Sequence, residues 1–183
     1  METSSLSSVI ASGADTVRVC VFFLALIGAA YMDLKHRIIS DRITIWGTVA
    51  GILLFTLSHG TSGLTASGTG WALGFFPFYL LFRLGGLGLG DVKLMGMVGA
   101  LGGPMLVLYG FWYTGIIGFV LALVVLIHKG QLQSGMKRVW LLCLKITGLG
   151  KKQEAQELAE TLTIPYGLAI VFGSYLAFFR LVG

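Results

Sequence analysis

Asp33, in the stretch AAYMDLKHRIIS, and Asp91, in RLGGLGLGDVKLMG, each stand at the edge of an apolar run in a chain that otherwise avoids charge. An acid within a membrane span costs about 2.5–3.5 kcal/mol on insertion scales, so such acids are functional suspects. Two carboxylates sharing a partly dehydrated site cannot both ionise readily, and one keeps a proton near neutral pH. The ionised acid can then take a proton from water while the protonated acid polarises a carbonyl, which is the division of labour in aspartyl proteolysis. The titration belongs to the pair, and the sequence leaves open which partner holds the proton.

Other roles for the same residues stay open at this level. Either acid could be a salt-bridged anchor beside Lys35, Arg37 or Lys93, and Asp91 could cap the helix it begins. Gly85, Gly86, Gly88 and Gly90 strip side chains from the turn before Asp91, permitting positive φ angles and close approach of another backbone. Irregular backbone at membrane depth is tolerated where it lines an enclosed or wet cavity. Neither GxGxxG nor GxxxxGK can be registered on these glycines, which excludes a phosphate loop.

The elements that must position the acids are membrane helices. The 183 residues are 56% hydrophobic and 11% charged, against about 25% charged in soluble domains. A span needs roughly 20 mostly apolar residues, so the chain has room for about six. Apolar runs fall at 17–32, 43–57, 71–84, 92–101, 105–127 and 164–182. The segment before the first run holds Glu2 and Asp15 against Arg18 alone, which is unlike a secretory signal and predicts a retained first helix.

Basic residues set the expected orientation. Lys35, Arg37 and Arg42 follow the first run, Arg83 and Lys93 flank the turn before the fourth, and Lys129, Lys137, Arg138, Lys145, Lys151 and Lys152 follow the fifth. Segments 58–70 and 102–104 contain no Lys or Arg and read as loops on the opposite face. The positive-inside rule then predicts an all-α polytopic protein of six transmembrane helices with both termini outside. Both acids fall at the cytoplasmic ends of their helices, where they could meet. Residues 1–183 read as a single membrane domain, and 128–163 as a cytoplasmic loop with an amphipathic helix near 136–146. The net charge of +5 is explained by this topology, so no nucleic-acid partner is expected. Cys20 and Cys143 lie far apart and read as small apolar fillers; no zinc site or disulfide framework follows from them.

At this point the chain resembles the type IV prepilin peptidases and, through their GxGD signature, the wider group of intramembrane aspartyl proteases. The matching residues are Asp33-Leu34-Lys35-His36-Arg37-Ile38-Ile39-Ser40 and Gly88-Leu89-Gly90-Asp91-Val92-Lys93-Leu94; Ile164-Pro165-Tyr166-Gly167-Leu168-Ala169-Ile170 is similar to the family's last helix. The resemblance implies that Asp33 and Asp91 are the catalytic pair, without metal or cofactor. It implies substrates that are prepilin-like membrane proteins, cut at the cytoplasmic face between a basic leader and a hydrophobic segment. Gly88, Gly90, Pro165 and Tyr166 are expected to shape the cleft. Lys35, Arg37 and Lys93 are expected to anchor the helices by positive-inside placement, or to tune the pair or meet substrate acids. Larger members carry a cysteine-bearing cytoplasmic insertion and methylate the new N-terminus. Here 1–16 is short and no paired cysteines occur, so peptidase activity without methyltransferase is expected, as in tight-adherence (Flp-type) pilus systems. Ser40-Asp41 replaces the Pro-Asn that often follows the first motif.

Rival chemistries have weaker residues. Gly60-Thr61-Ser62-Gly63 spells the GxSG of rhomboid serine proteases, but its serine sits in a polar small-residue stretch and no histidine stands mid-helix as its base. No HExxH occurs, and His36, His59 and His128 are isolated. A small proton- or cation-coupled transporter using Asp33 and Asp91 is the leading alternative.

Overall fold

The computed structural model describes residues 2–36, 39–83, 87–128 and 166–182. Among them every element is a helix: α1 (Glu2–His36), α2 (Asp41–Arg83), α3 (Leu89–His128) and α4 (Tyr166–Val182). Three segments, Gly13–His36, Asp41–Arg83 and Leu89–His128, are long and apolar enough to cross a membrane, and Tyr166–Val182 is a shorter apolar helix. Leu24, Ile27, Leu53, Phe76, Trp112 and Phe119 point their apolar side chains outward. An apolar exterior of that extent suits lipid rather than water. Cys20, expected as a filler, is also exposed on α1.

At 43 residues, a straight α2 would run about 65 Å, twice the roughly 30 Å of bilayer hydrocarbon. It does not stay straight. Gly60 adopts φ 62°, ψ −136°, and Gly103 in α3 adopts φ 78°, ψ 179°. Only glycine takes such angles without strain, and Pro104, next in line, has the fixed φ suited to starting a new helix. Packing registers show that the chain reverses at both places. Along the first arm of α2, Gly47 meets Met97 and Gly51 meets Ala100; along the second, Gly70 meets Gly99 and Gly74 meets Met95. One series ascends α3 and the other descends it, so the two arms of α2 are antiparallel. In α3, Gly99 meets Val107 and Gly110 meets Met95, which folds the second arm back along the first. The described residues therefore form six helical arms.

The first arm of α3 is the centre of the bundle. Val92, Leu94, Met95, Met97, Val98 and Ala100 are fully buried. Both arms of α2 flank it, and its own second arm packs on α4, with Gly173 against Thr114 and Gly118 against Tyr166. Phe22 of α1 stacks on Phe178 of α4 and Phe23 meets the same ring edge to face, with ring centroids 5.7 and 5.0 Å apart. The α1–α2 contacts run from Gly28 at Ile43 to Arg18, whose guanidinium lies 3.7 Å from the Phe55 ring centre.

Segment 58–70, expected as a loop, is helical apart from Gly60. Its hydroxyls satisfy backbone carbonyls locally: Ser58 donates to Leu54 O, Ser62 to His59 O, Thr65 to Ser62 O and Thr69 to Thr65 O. Gly63, Ser67, Gly70 and Gly74 recur on one buried face, and Ser67 Oγ donates 2.7 Å across to Ala100 O. Beyond the reversal at Gly60, the small polar residues here mark a close helix contact. The expected loop at 102–104 shrinks to the reversal at Gly103. The expected loop at 128–163 lies outside the described residues except for His128, which ends α3.

Candidate active site

Contacts place the end of α1, the starts of α2 and α3, and the start of α4 at one end of the bundle. Gly60, Gly103, Asp15 and Arg18 occupy the other. Asp33 sits in the last turn of α1 and is only 6% exposed; Asp91 sits half-buried in the first turn of α3. Contacts between the two acid motifs put both acids at the same end of the bundle, the shared level expected from sequence.

Each carboxylate accepts a backbone N–H. Gly88 N donates to Asp91 Oδ2 at 3.3 Å, the reach-back of a third-position acid onto the residue that caps its helix. The capping role that the sequence left open for Asp91 is therefore fulfilled. Asp33 lies at the negative end of α1, an unfavourable place for an anion. It is compensated from another helix: Leu168 N, in the first turn of α4, donates to Asp33 Oδ2 at 3.0 Å.

The two acid motifs touch through a glycine. A Cβ on Gly90 would lie 3.2 Å from Ile39 Cβ and 3.6 Å from Ile39 N, so Gly90 admits the segment following α1. Ile39 is buried there, and Ser40 O receives Ile43 N at 3.1 Å to start α2. The expected positive φ at Gly88 and Gly90 does not occur; among the described residues only Gly60 and Gly103 have it. What Gly90 supplies is clearance. A Cβ on Gly88 would stand 3.2 Å from Asp91 Oδ2, so that position too bears on the acid.

The candidate cations turn elsewhere. Lys93 Nζ forms a 2.7 Å ion pair with Asp41 Oδ1, tying the first turns of α2 and α3 together. Lys35 Nζ hydrogen-bonds the Tyr31 hydroxyl at 3.1 Å, one turn back on α1. Half-buried Tyr166 packs its ring against Gly118 of α3. Arg37 and Pro165 lie outside the described residues. The sequence placed Gly167 and Leu168 in the stretch similar to the family's last helix but gave them no part in the site, where they touch Asp33, and it gave no sign of Asp41 as the partner of Lys93. A glycine in the first turn of an otherwise apolar helix was the available signal for the first. Among the described residues no three His, Cys, Asp or Glu side chains gather as a metal site requires.

The model of the type IV leader peptidase family matches residues 20–123, more than half of the chain, and that span contains both acids. No curated protein and no solved structure matches the chain.

Proposed function

Because the chain belongs to the type IV leader peptidase family, we propose that it is an intramembrane aspartyl endopeptidase whose catalytic pair is Asp33 and Asp91. The observation that supports the reading is the placement of both acids at one end of a lipid-compatible bundle, each accepting a backbone N–H at a helix N-terminus. With one proton between them, the ionised acid removes a proton from water as the water oxygen attacks the scissile carbonyl carbon. The protonated acid gives its proton to the carbonyl oxygen. Collapse of the tetrahedral diol breaks the C–N bond, returns a proton to the pair and delivers the other to the leaving amine.

The substrate proposed is a prepilin-like membrane protein whose basic leader is cut at the cytoplasmic face. Support for that face comes from Lys35, Arg42, Arg83 and Lys93 at the acid end, together with the basic residues of 129–163. In the same reading all six arms cross the bilayer and both termini lie outside. Since neither cysteine belongs to a CxxC pair, cleavage is proposed to proceed without methylation of the new N-terminus.

The test is purified protein in lipid nanodiscs with a panel of peptides joining basic leaders to apolar segments, read by mass spectrometry. Cleavage at the leader boundary is expected, with no methyl transfer from labelled S-adenosylmethionine. Intact peptides, or acid-dependent ion uptake in vesicles, would favour the transporter reading.

The Lys93–Asp41 pair gives a smaller expected effect. Its side chains are 30% and 60% exposed, so it contributes no more than about 1 kcal/mol. Asp41→Asn is expected to slow cleavage by about two- to fivefold, with a deficit that shrinks at high salt as wild type loses the same pair. A rate measured across a salt series checks it.

A further inference from the structure

We propose that the first turn of α4 is a positioning element for Asp33, acting through the clearance at Gly167 and the N–H of Leu168. This rests on Asp33 being catalytic. Gly167 and Leu168 fall in the stretch similar to the family's last helix, where no role is assigned to either, and they lie beyond the residues 20–123 that the family model matches.

The geometry is specific at two successive residues. A Cβ on Gly167 would fall 2.7 Å from Asp33 Oδ2, 2.8 Å from Cγ and 3.2 Å from Cβ. Those distances lie inside contact range, and α4 cannot retreat freely because Gly173 is against the Thr114 backbone and Gly118 against Tyr166. The carboxylate itself must therefore move. The next residue supplies the 3.0 Å N–H. Leu168 is the third described residue of α4, in the turn whose N–H groups helices offer to outside partners, and Asp33 accepts from it. The helix N-terminus adds a partial positive charge beside the acid. Asp33 thus meets, from α4, both a steric wall at Gly167 and a backbone donor at Leu168. Other charged groups nearby on the described residues leave this arrangement intact: Lys35 is turned to Tyr31, Lys93 to Asp41, and Asp91 is the partner acid.

A displacement of about 1 Å in a reacting group can cost 10²-fold in rate. Gly167→Ala is therefore expected to lower kcat about 100-fold with KM within threefold of wild type. A structural defect alone would instead reduce the folded fraction, leaving kcat per folded molecule unchanged. Leu168→Pro removes the N–H in the first turn of α4, and Leu168→Ala keeps it; the folded fraction of each variant is scored beside kcat. The proline variant is expected to lose at least about tenfold more kcat than the alanine variant. Folded protein is scored by thermal melting in detergent, with Phe172→Ala, lipid-facing on the same helix, as the reference.

Near wild-type kcat in Gly167→Ala, or equal losses in the two Leu168 variants, would overturn the proposal. If Gly167→Ala does not assemble, the Leu168 pair decides alone. With Asp33→Asn inactive and Gly167→Ala active, only the positioning role falls; with Asp33→Asn fully active, the catalytic reading falls and takes this one with it.

Discussion

Asp33→Asn and Asp91→Asn are each expected to reduce leader cleavage by at least about 10³-fold while leaving the protein folded. General acid–base groups contribute about 10²–10⁴ in rate, and each acid here is asked to serve in both proton transfers of the reaction. Asparagine matches aspartate in shape and keeps an oxygen that can accept from Leu168 N or Gly88 N, so the backbone contacts that hold each position survive. What it removes is the proton exchange. The measurement is single-turnover release of the leader by each purified variant, with melting temperature as the check on assembly. A wild-type rate in either variant would remove the aspartyl mechanism, whereas loss of rate together with loss of folded protein would point to a purely architectural acid.

The second large effect is expected where two helices meet without side chains between them. Gly70 and Gly99 face each other so closely that a Cβ on either would overlap the other's carbonyl oxygen, and a Cβ on Gly70 would also fall 2.8–2.9 Å from Gly103 backbone atoms. In lipid, helices associate through packing at small residues rather than through expulsion of water, so this contact has no hydrophobic substitute. Overpacking of a well-filled core costs about 1–3 kcal/mol, and here the obstructing atoms are backbone that cannot rotate aside. Gly70→Leu or Gly99→Leu is expected to prevent assembly altogether, seen as aggregation on size-exclusion chromatography and loss of a cooperative melt. Gly68→Ala on the same arm, where a Cβ meets nothing within 4 Å, is expected to be neutral or to raise stability by up to about 1 kcal/mol through helix propensity.

The two acids were legible in the sequence because a carboxylate between apolar runs is conspicuous, and their common level followed from where the basic residues lie. The apolar runs also marked the arms. Their limits were not legible at 58–70, because serine, threonine and glycine serve turns in water and close helix contacts in membranes. Only the packing partner distinguishes the two uses, and Gly63, Ser67 and Gly70 find theirs within the bundle. Gly90 was legible as a place needing space but not as the place that Ile39 fills. Lys93 read as an anchor or a tuner; its partner Asp41 lies on another helix, and no local pattern connects them. Gly167 and Leu168 were legible as part of a helix like the family's last but not as neighbours of Asp33, since what they touch is far away in the chain.

The reversal at Gly103 makes the first arm of α3 a lever. Asp91 stands twelve residues from that glycine, about 18 Å along the helix at 1.5 Å per residue. A rotation of about 3° at the pivot therefore carries the acid through about 1 Å, the scale on which catalytic alignment is lost. The pivot is clamped by Gly70 on one side and by Arg18 on the other, whose Nη1 donates to Leu101 O at 3.2 Å while Asp15 holds its Nη2 at 3.0 Å. Arg18 thus anchors, from the opposite end of the bundle, the arm that begins beside Asp91.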